Sequence, residues 1–245
     1  MKKSLLLAAT LLLSAVSFGQ IKLQNENQDI ELPKPMFDRY SKSMIETLMD
    51  RHSVRDFEHK ELSMEDLSTL CWAACGRSRD ENHITSPTAM NRQEIRLYVF
   101  LQKGVYEYIP GNNVLHFICQ GDYREMFVSN SPVAESSKAD KKGKGGKNGK
   151  GGDAGKTFGQ PFVMEAPVTL LMVIDLDKFG STDERAKTLA YMDAGIVSEN
   201  INLYCESVKL GTVTRATMDV QGLKKLLNLN NNQIPALNNP VGYPK

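Results

Sequence analysis

The segment between Ser181 and Gly211 constrains the fold most, because it predicts one long helix that is apolar on most of its circumference. Ser181 and Glu184 have the spacing of a capping box, and Gly211 lies just beyond the predicted last helical residue, Lys209. Apolar side chains recur along the segment at helical spacing: Leu189, Met192, Ile196, Val197, Ile201, Leu203, Tyr204 and Val208. A helix of this kind is buried on several sides, so we expect it at the centre of the domain.

Shorter helices and strands are predicted on both sides of this segment. One helix begins at Ser43 and runs through Leu48 to Arg51, and a second begins at Ser63 and ends before Gly76. Strands are predicted at residues 96–102, 104–109, 114–118, 168–174 and about 236–241, with a further helix at 220–227. Strands that alternate with helices predict an α+β or α/β layer in one domain.

The first residues have the three-part pattern of a secretory signal. Lys2 and Lys3 precede an apolar run at residues 5–13, and Ser17 and Gly19 take the small-residue positions before a cut ahead of Gln20. Such a short run cannot cross about 30 Å of hydrocarbon, so no transmembrane segment is expected. We expect a cleaved signal peptide at residues 1–19, export to the periplasm or secretion, and an extended arm at residues 20–42.

Charge and cysteine content exclude some classes of function. Lys and Arg number 30 against 29 acidic residues, so no nucleic-acid partner is indicated. A Lys/Gly-rich stretch at 138–156 holds seven Lys against two Asp, and this composition predicts a flexible surface insertion at about residues 130–160. Export would permit disulfides, but we favour buried free thiols for the four cysteines. Their spacing suits no metal site, so none is expected.

Three segments carry residues suited to ligand binding. In residues 51–57, two guanidiniums and the Ser53 hydroxyl can converge on one anion, although Arg55 could instead pair with Asp56 or Glu58 in a solvated turn. The loop 85–93 offers hydroxyls and an amide to a flat polar ligand, or it is an ordinary capping loop. The small residues of 210–219 allow close backbone approach, or they mark a helix stop followed by a strand.

Taken in order, five motifs over residues 43–245 resemble the nitroreductase-like flavin oxidoreductases. The matching residues are Arg51, Ser53, Arg55 and Phe57; Pro87, Thr88 and Asn91; Asp193-Ala194-Gly195-Ile196 with Asn200; Lys209-Leu210-Gly211-Thr212; and Pro240-Val241-Gly242-Tyr243-Pro244. The resemblance implies an α+β fold with a mainly antiparallel sheet, flanking helices and a long buried central helix. It also implies a homodimer with one FMN per subunit at the interface.

The resemblance further assigns residues to the cofactor. Arg51, Ser53 and Arg55 would hold the FMN phosphate or ring edge, with His52 contributing through its backbone. Thr88 and Asn91 belong to the cofactor loop, and Asn91 would contact the isoalloxazine. Arg215, Ala216 and Thr217 would lie beside the reactive face, with a backbone N–H near N5. Lys245 would take the place of the basic tail residues of relatives.

The chemistry implied is carried by the flavin, so no catalytic side chain is assigned. A hydride from NAD(P)H or another donor would pass through FMN to a nitroaromatic, a quinone or an unsaturated metabolite. Two departures from the family are Ala216-Thr217 in place of Gly-Gly and the bulky Arg215 before them. The alternatives are an azoline-type dehydrogenase of the same fold and a flavin-fold binding protein without turnover.

Overall fold

A seven-stranded sheet with helices on both faces forms the domain in the computed structural model, which describes residues 28–37, 41–130 and 159–245. The strands lie in the order β1-β4-β3-β2-β5-β7-β6, and every neighbouring pair is antiparallel. They are β1 (Ile30–Glu31), β2 (Ile95–Leu101), β3 (Gly104–Ile109), β4 (Val114–Gln120), β5 (Val168–Asp175), β6 (Gly211–Thr212) and β7 (Gln233–Gly242). The α+β architecture with an antiparallel sheet is thus confirmed.

Helices cover the sheet unequally. They are α1 (Met44–Asp50), α2 (Met64–Cys75), α3 (Leu176–Phe179), α4 (Glu184–Ser207) and α5 (Val220–Leu226), with short 3-10 helices at Ala89–Asn91, Arg124–Phe127 and Pro161–Met164. Along β5, alternate side chains point to opposite faces, so Leu170 and Met172 join the core with α2 and α4, whereas Leu171 and Val173 join the core with α5. Burial on both faces explains why this strand is a continuous apolar run.

The long central helix predicted from the sequence is α4, with corrected ends. Its N-cap is Asp183, whose carboxylate accepts a hydrogen bond from the Ala186 amide at 2.7 Å. Ser181 lies outside the helix and accepts from the Asp183 amide instead. The helix ends at Ser207, because Lys209 has a φ of 63° and cannot continue it. Asp183 is the better cap because its carboxylate meets the positive end of the helix dipole.

Within one chain, α4 buries one face rather than most of its circumference. The buried positions are largely small or polar: Ala186, Ala190, Asp193, Ala194, Val197, Ser198, Ile201 and Cys205. Small side chains let the helix approach the sheet and α2 closely. Met192, which the sequence pattern counted as buried, is 61% exposed, and Tyr191 beside it is 47% exposed. The described residues therefore leave the outer face of α4 exposed at Tyr191 and Met192.

The helices before and after the first site segment form as predicted. Ser43 begins α1 with a full capping box to Glu46, and Ser63 caps α2 at the Asp66 amide. The predicted arm also contributes to the fold, since β1 pairs with β4 and the Ser68 hydroxyl donates to the carbonyl of Pro33. The predicted signal peptide and all but the ends of the predicted insertion lie outside the described residues.

All four cysteines are free thiols, as favoured from the sequence. Cys71, Cys75 and Cys205 are buried, whereas Cys119 is half-buried. Burial raises the pKa of the Cys75 thiol to about 12, so it stays protonated at neutral pH. Among the helices in the described ranges, none combines the length and apolar character of a membrane span.

Candidate functional site

The segment at residues 51–57 is fixed between the end of α1 and the last strand. The Val54 amide donates to the carbonyl of Thr212 at 2.9 Å, and the buried Phe57 pairs with Pro244 as an isolated bridge. Gly211 permits this approach, because a Cβ there would lie 2.7 Å from a Val54 methyl. The first and third segments singled out from the sequence therefore meet in one place.

The cationic side chains of this segment have no protein partner in the part of the chain that the structure describes. Arg51 is half-buried and Arg55 is exposed, and neither makes a hydrogen bond or ion pair there; the Ser53 hydroxyl is also free. Asp56 instead binds Lys245, so the alternative in which Arg55 pairs with it does not form. Two guanidiniums and a hydroxyl are therefore available to bind an external anion.

His52 and Lys245 lie beside this segment but are engaged. The His52 ring nitrogen Nδ1 lies 2.8 Å from the Asp50 carbonyl, and its side chain points to solvent. The Lys245 ammonium lies 2.8 Å from an Asp56 carboxylate oxygen and 2.9 Å from a Glu165 oxygen. These two hydrogen bonds raise the pKa of Lys245. The role of Lys245 in cofactor binding stays a prediction. To contact a cofactor, the ammonium would have to leave the Asp56 and Glu165 carboxylates or bind the cofactor in addition to them.

The third segment exposes backbone donors. Arg215 pairs with Asn238 through two backbone hydrogen bonds of 2.8 and 2.7 Å, which fixes the chain just before Ala216. In the described ranges, the amides of Ala216 and Thr217 have no acceptor, and Ala216 is exposed. A cleft of about 350 Å³ opens beside Ala216 and is lined by Asn130, Met218, Asp219, Val220 and Gln221. Free amides next to a cleft can bind an acceptor atom of a ligand.

Two adjacent buried asparagines of β7 hold this segment from both faces of the sheet. The Asn238 amide donates to the carbonyl of Thr217 at 3.1 Å. On the other face, Asn239 donates to the Thr212 hydroxyl at 3.3 Å and accepts from Ser198 of α4 at 2.7 Å. Sequence analysis did not single out these residues, although two amides inside an otherwise apolar strand were a usable signal, because buried polar groups need partners.

The loop with Thr88 and Asn91 lies at a different position along α4. The Thr88 hydroxyl accepts from the Gln93 amide at 2.9 Å, and Asn91 binds the carbonyl of Asn82. Met90, Asn91 and Gln93 have φ values of 55°, 53° and 52°, in the left-handed region. This backbone is common for Asn but strained for Met and Gln. Strain of this kind is concentrated at functional sites, so the loop remains a candidate for ligand contact.

A pair of buried carboxyls, Glu94 and Asp193, supports this loop. Asp193 accepts from the Ala89 amide at 2.7 Å and lies next to Glu94, which is fully buried. Neither Glu94 carboxyl oxygen has a hydrogen-bond partner among the described residues. A hydrogen bond between Glu94 and Asp193 requires a proton on one of the two carboxyls. Burial, then the contact with Asp193, raises the pKa of Glu94, whereas the charge of Lys178 acts in the opposite direction. Glu94 was missed from sequence.

The two halves of the predicted site are separated within one chain. The loop is anchored to α4 at Asp193, whereas the segment at residues 51–57 lies near Glu206, to which His52 approaches within 3.6 Å. Asp193 and Glu206 are 13 positions apart on the helix, about 20 Å at 1.5 Å per residue. The chain therefore brings residues 51–57 and 211–217 together but does not bring Asn91 to them.

Comparisons with known proteins give one consistent result. The sequence pattern described as the nitroreductase family matches residues 48–243. A protein of Methanocaldococcus jannaschii proposed to be a nitroreductase is 23% identical over 224 residues, which cover 89% of this chain and 97% of that relative.

Solved structures with the same fold include relatives from two bacteria. The crystal structure of a protein from Ralstonia eutropha, proposed to be a nitroreductase, has a TM-score of 0.72 and 26% identity, with 90% of this chain and 91% of that one covered. A nitroreductase family protein from Clostridium novyi has a TM-score of 0.55 at 16% identity, with 83% and 86% covered, and shows the fold alone. The chain belongs to the nitroreductase family of oxidoreductases.

Proposed function

We propose that this protein is an FMN-dependent oxidoreductase that transfers hydride between a reduced nicotinamide or another donor and a small organic acceptor. The observation that carries the proposal is the meeting of residues 51–57 with residues 211–217. It combines unpaired cationic donors with free backbone amides at the edge of a cleft. FMN presents the complementary groups, a doubly charged phosphate and a flat ring with acceptor atoms along one edge.

The donor set fits FMN by its chemistry. Arg51, Ser53 and Arg55 offer charge-assisted hydrogen bonds that no described protein group uses, which suits the phosphate or the pyrimidine edge of the ring. The amides of Ala216 and Thr217 suit the ring's reactive edge. When bound, FMN would supply the hydride-accepting and hydride-donating chemistry. The protein's own part is to orient the ring, set the local charge and admit the acceptor.

The cleft beside Ala216 is the proposed place for the acceptor. Its volume of about 350 Å³ falls in the range of small-molecule sites, and Met218 and Val220 give it an apolar wall. These dimensions suit a nitroaromatic, a quinone or an unsaturated metabolite. They do not select one of the three, nor do they distinguish an azoline ring.

Absorption spectra and turnover together test the proposal. Purified protein, or apoprotein mixed with FMN, should show flavin bands that remain with the protein after gel filtration. It should then oxidise NADH or NADPH in the presence of a quinone or nitroaromatic. A protein that binds FMN but reduces no acceptor would favour the binding protein without turnover. Oxidation of azoline peptides would favour the dehydrogenase, and failure to retain FMN would contradict the proposal.

We further propose a homodimer whose partner completes the site. The exposed surface carries apolar side chains where a second copy could cover them, since Met44, Ile45, Leu48 and Met49 of α1 are 55–78% exposed. These four side chains form an exposed apolar surface on α1, and Met192, 14 positions before Glu206 on α4, is a separate exposed apolar side chain. A shared site would also explain why the loop anchor Asp193 lies about 20 Å along α4 from Glu206, which is beside the first segment.

The double variant Ile45→Lys/Met49→Lys is expected to be monomeric at micromolar concentration. These two side chains are neighbours one turn apart on α1, and charging them removes apolar burial worth about 25 cal/mol per Å² in the dimer. Light scattering coupled to gel filtration measures the change. The control Gln102→Lys adds charge in an exposed turn and should stay dimeric. A double variant that is still dimeric would show that α1 does not form the dimer interface.

Export is proposed on the sequence pattern at residues 1–19. The full chain expressed with its own N-terminus should yield a mature protein that begins at Gln20. Intact-mass measurement of the exported fraction checks this, and Gly19→Tyr should block the cut by placing a bulky side chain at the −1 position. If the wild type, like Gly19→Tyr, stays uncut in the cytoplasm, export is contradicted.

A further inference from the structure

Arg215 is a buried cation whose described hydrogen-bond partners are all neutral. Its side chain donates from Nε to Gln160 Oε1 at 2.9 Å, from Nη1 to Asn238 Oδ1 at 2.8 Å and from Nη2 to the Phe127 carbonyl at 2.6 Å. The residue is only 6% exposed, and its guanidinium lies over the ring of Phe162 at 5.4 Å. These contacts fix the orientation of the group without neutralising its charge.

The surrounding charged groups do not neutralise the Arg215 cation, and Arg55 repels it. Burial, and then the like charge of Arg55, lower the pKa of Arg215 to about 10. At neutral pH the group is therefore still a cation. Asp56 and Glu165 are both bound by Lys245. In the described part of the chain, Arg215 has no carboxylate partner, and an unpaired buried charge destabilises the folded state.

We propose that Arg215 is the fixed positive charge of the flavin site and stabilises the reduced, anionic form of FMN relative to the oxidised, neutral ring. The inference rests on the proposed function. Arg215 directly precedes Ala216 and Thr217, whose amides are the proposed ring contacts. A charge held in place beside a ligand and away from water acts strongly on it, because little solvent screens it and no reorganisation is needed.

The variant Gln160→Glu tests this charge with little change in shape. It places a carboxylate at the acceptor position 2.9 Å from Arg215 Nε. The other contact of Gln160, to the Thr217 hydroxyl at 3.3 Å, is kept because a hydroxyl can donate as well as accept. The variant should therefore fold, and its apoprotein should melt at a higher temperature, since the buried cation gains a counter-ion.

The decisive measurement is the midpoint potential of bound FMN, obtained by equilibration with reference dyes. Gln160→Glu is expected to weaken the preference for reduced over oxidised FMN about tenfold, which lowers the potential by about 30 mV for a two-electron couple. Affinity for oxidised FMN should change much less. Gln102→Glu adds the same charge in an exposed turn and should leave the potential unchanged.

A second pair of variants separates charge from structure. Arg215→Lys keeps the charge, but a lysine cannot bind all three acceptors. The variant should therefore be less stable, while the midpoint potential of bound FMN stays close to the wild-type value. Arg215→Met should lower the potential. An unchanged potential in both Gln160→Glu and Arg215→Met would overturn the inference alone. A wild-type protein that binds no FMN would overturn the proposed function, and the inference with it.

Discussion

Replacing Arg51 and Arg55 together by Ala is expected to weaken FMN binding by at least about a hundredfold. Neither guanidinium has a partner in the described chain, so their hydrogen bonds are available to the ligand. A charge-assisted hydrogen bond contributes about 1.5–3 kcal/mol, and two of them contribute about 3–6 kcal/mol. Because the two side chains make no hydrogen bond or ion pair with the described residues, the melting temperature of the apoprotein should hardly change.

Riboflavin provides the control for this prediction, because it carries the same ring without the phosphate. If the two arginines bind the phosphate, riboflavin affinity should fall far less than FMN affinity in the double variant. Arg79→Ala removes an exposed guanidinium outside the site and should affect neither ligand. Fluorescence quenching titrations measure both affinities. Equal losses for FMN and riboflavin would assign the arginines to the ring edge instead.

Local signals in the sequence predicted the elements around the site well. Ser43 and Ser63 begin their helices as expected, and the hairpin strands at 104–109 and 114–120 form around the predicted turn. These features depend on residues a few positions apart, such as a side-chain cap and the third amide after it. The start of α4 was misplaced because two candidate caps, Ser181 and Asp183, lie within three residues.

Long-range pairings could not be predicted in the same way. Glu94 and Asp193 are 99 positions apart, and only the packing of the loop on α4 brings their carboxyls together. Gln160 and Asn238 become ligands of Arg215 through the arrangement of β7 and a 3-10 helix. The five ordered motifs singled out the candidate segments, but they carried no information on which side chains have hydrogen-bond partners within the described chain.

The variant Glu94→Gln is expected to stabilise the protein at pH 8 by about 2–3 kcal/mol and to have little effect near pH 4.5. The pKa of Glu94 rises from its ordinary 4.5 to about 7 in the folded state. A raised pKa means that the folded state favours the protonated acid. The stability from this proton is complete below pH 4.5 and is lost as the pH rises through about 7. Glutamine is neutral at every pH and avoids this loss.

Thermal melts of both proteins between pH 4.5 and 8 measure the difference, which should approach about 5–10 °C at pH 8 for a chain of this size. Glu61→Gln removes an exposed carboxyl and should show no such pH-dependent gain. The effect should reach the candidate site, because ionised Glu94 repels Asp193, which anchors the loop through the Ala89 amide. Hydrogen exchange in residues 85–93 should therefore increase with pH beyond its intrinsic rise in the wild type and follow only that rise in Glu94→Gln. Equal pH dependence in the two proteins would show that the buried pair does not control the loop.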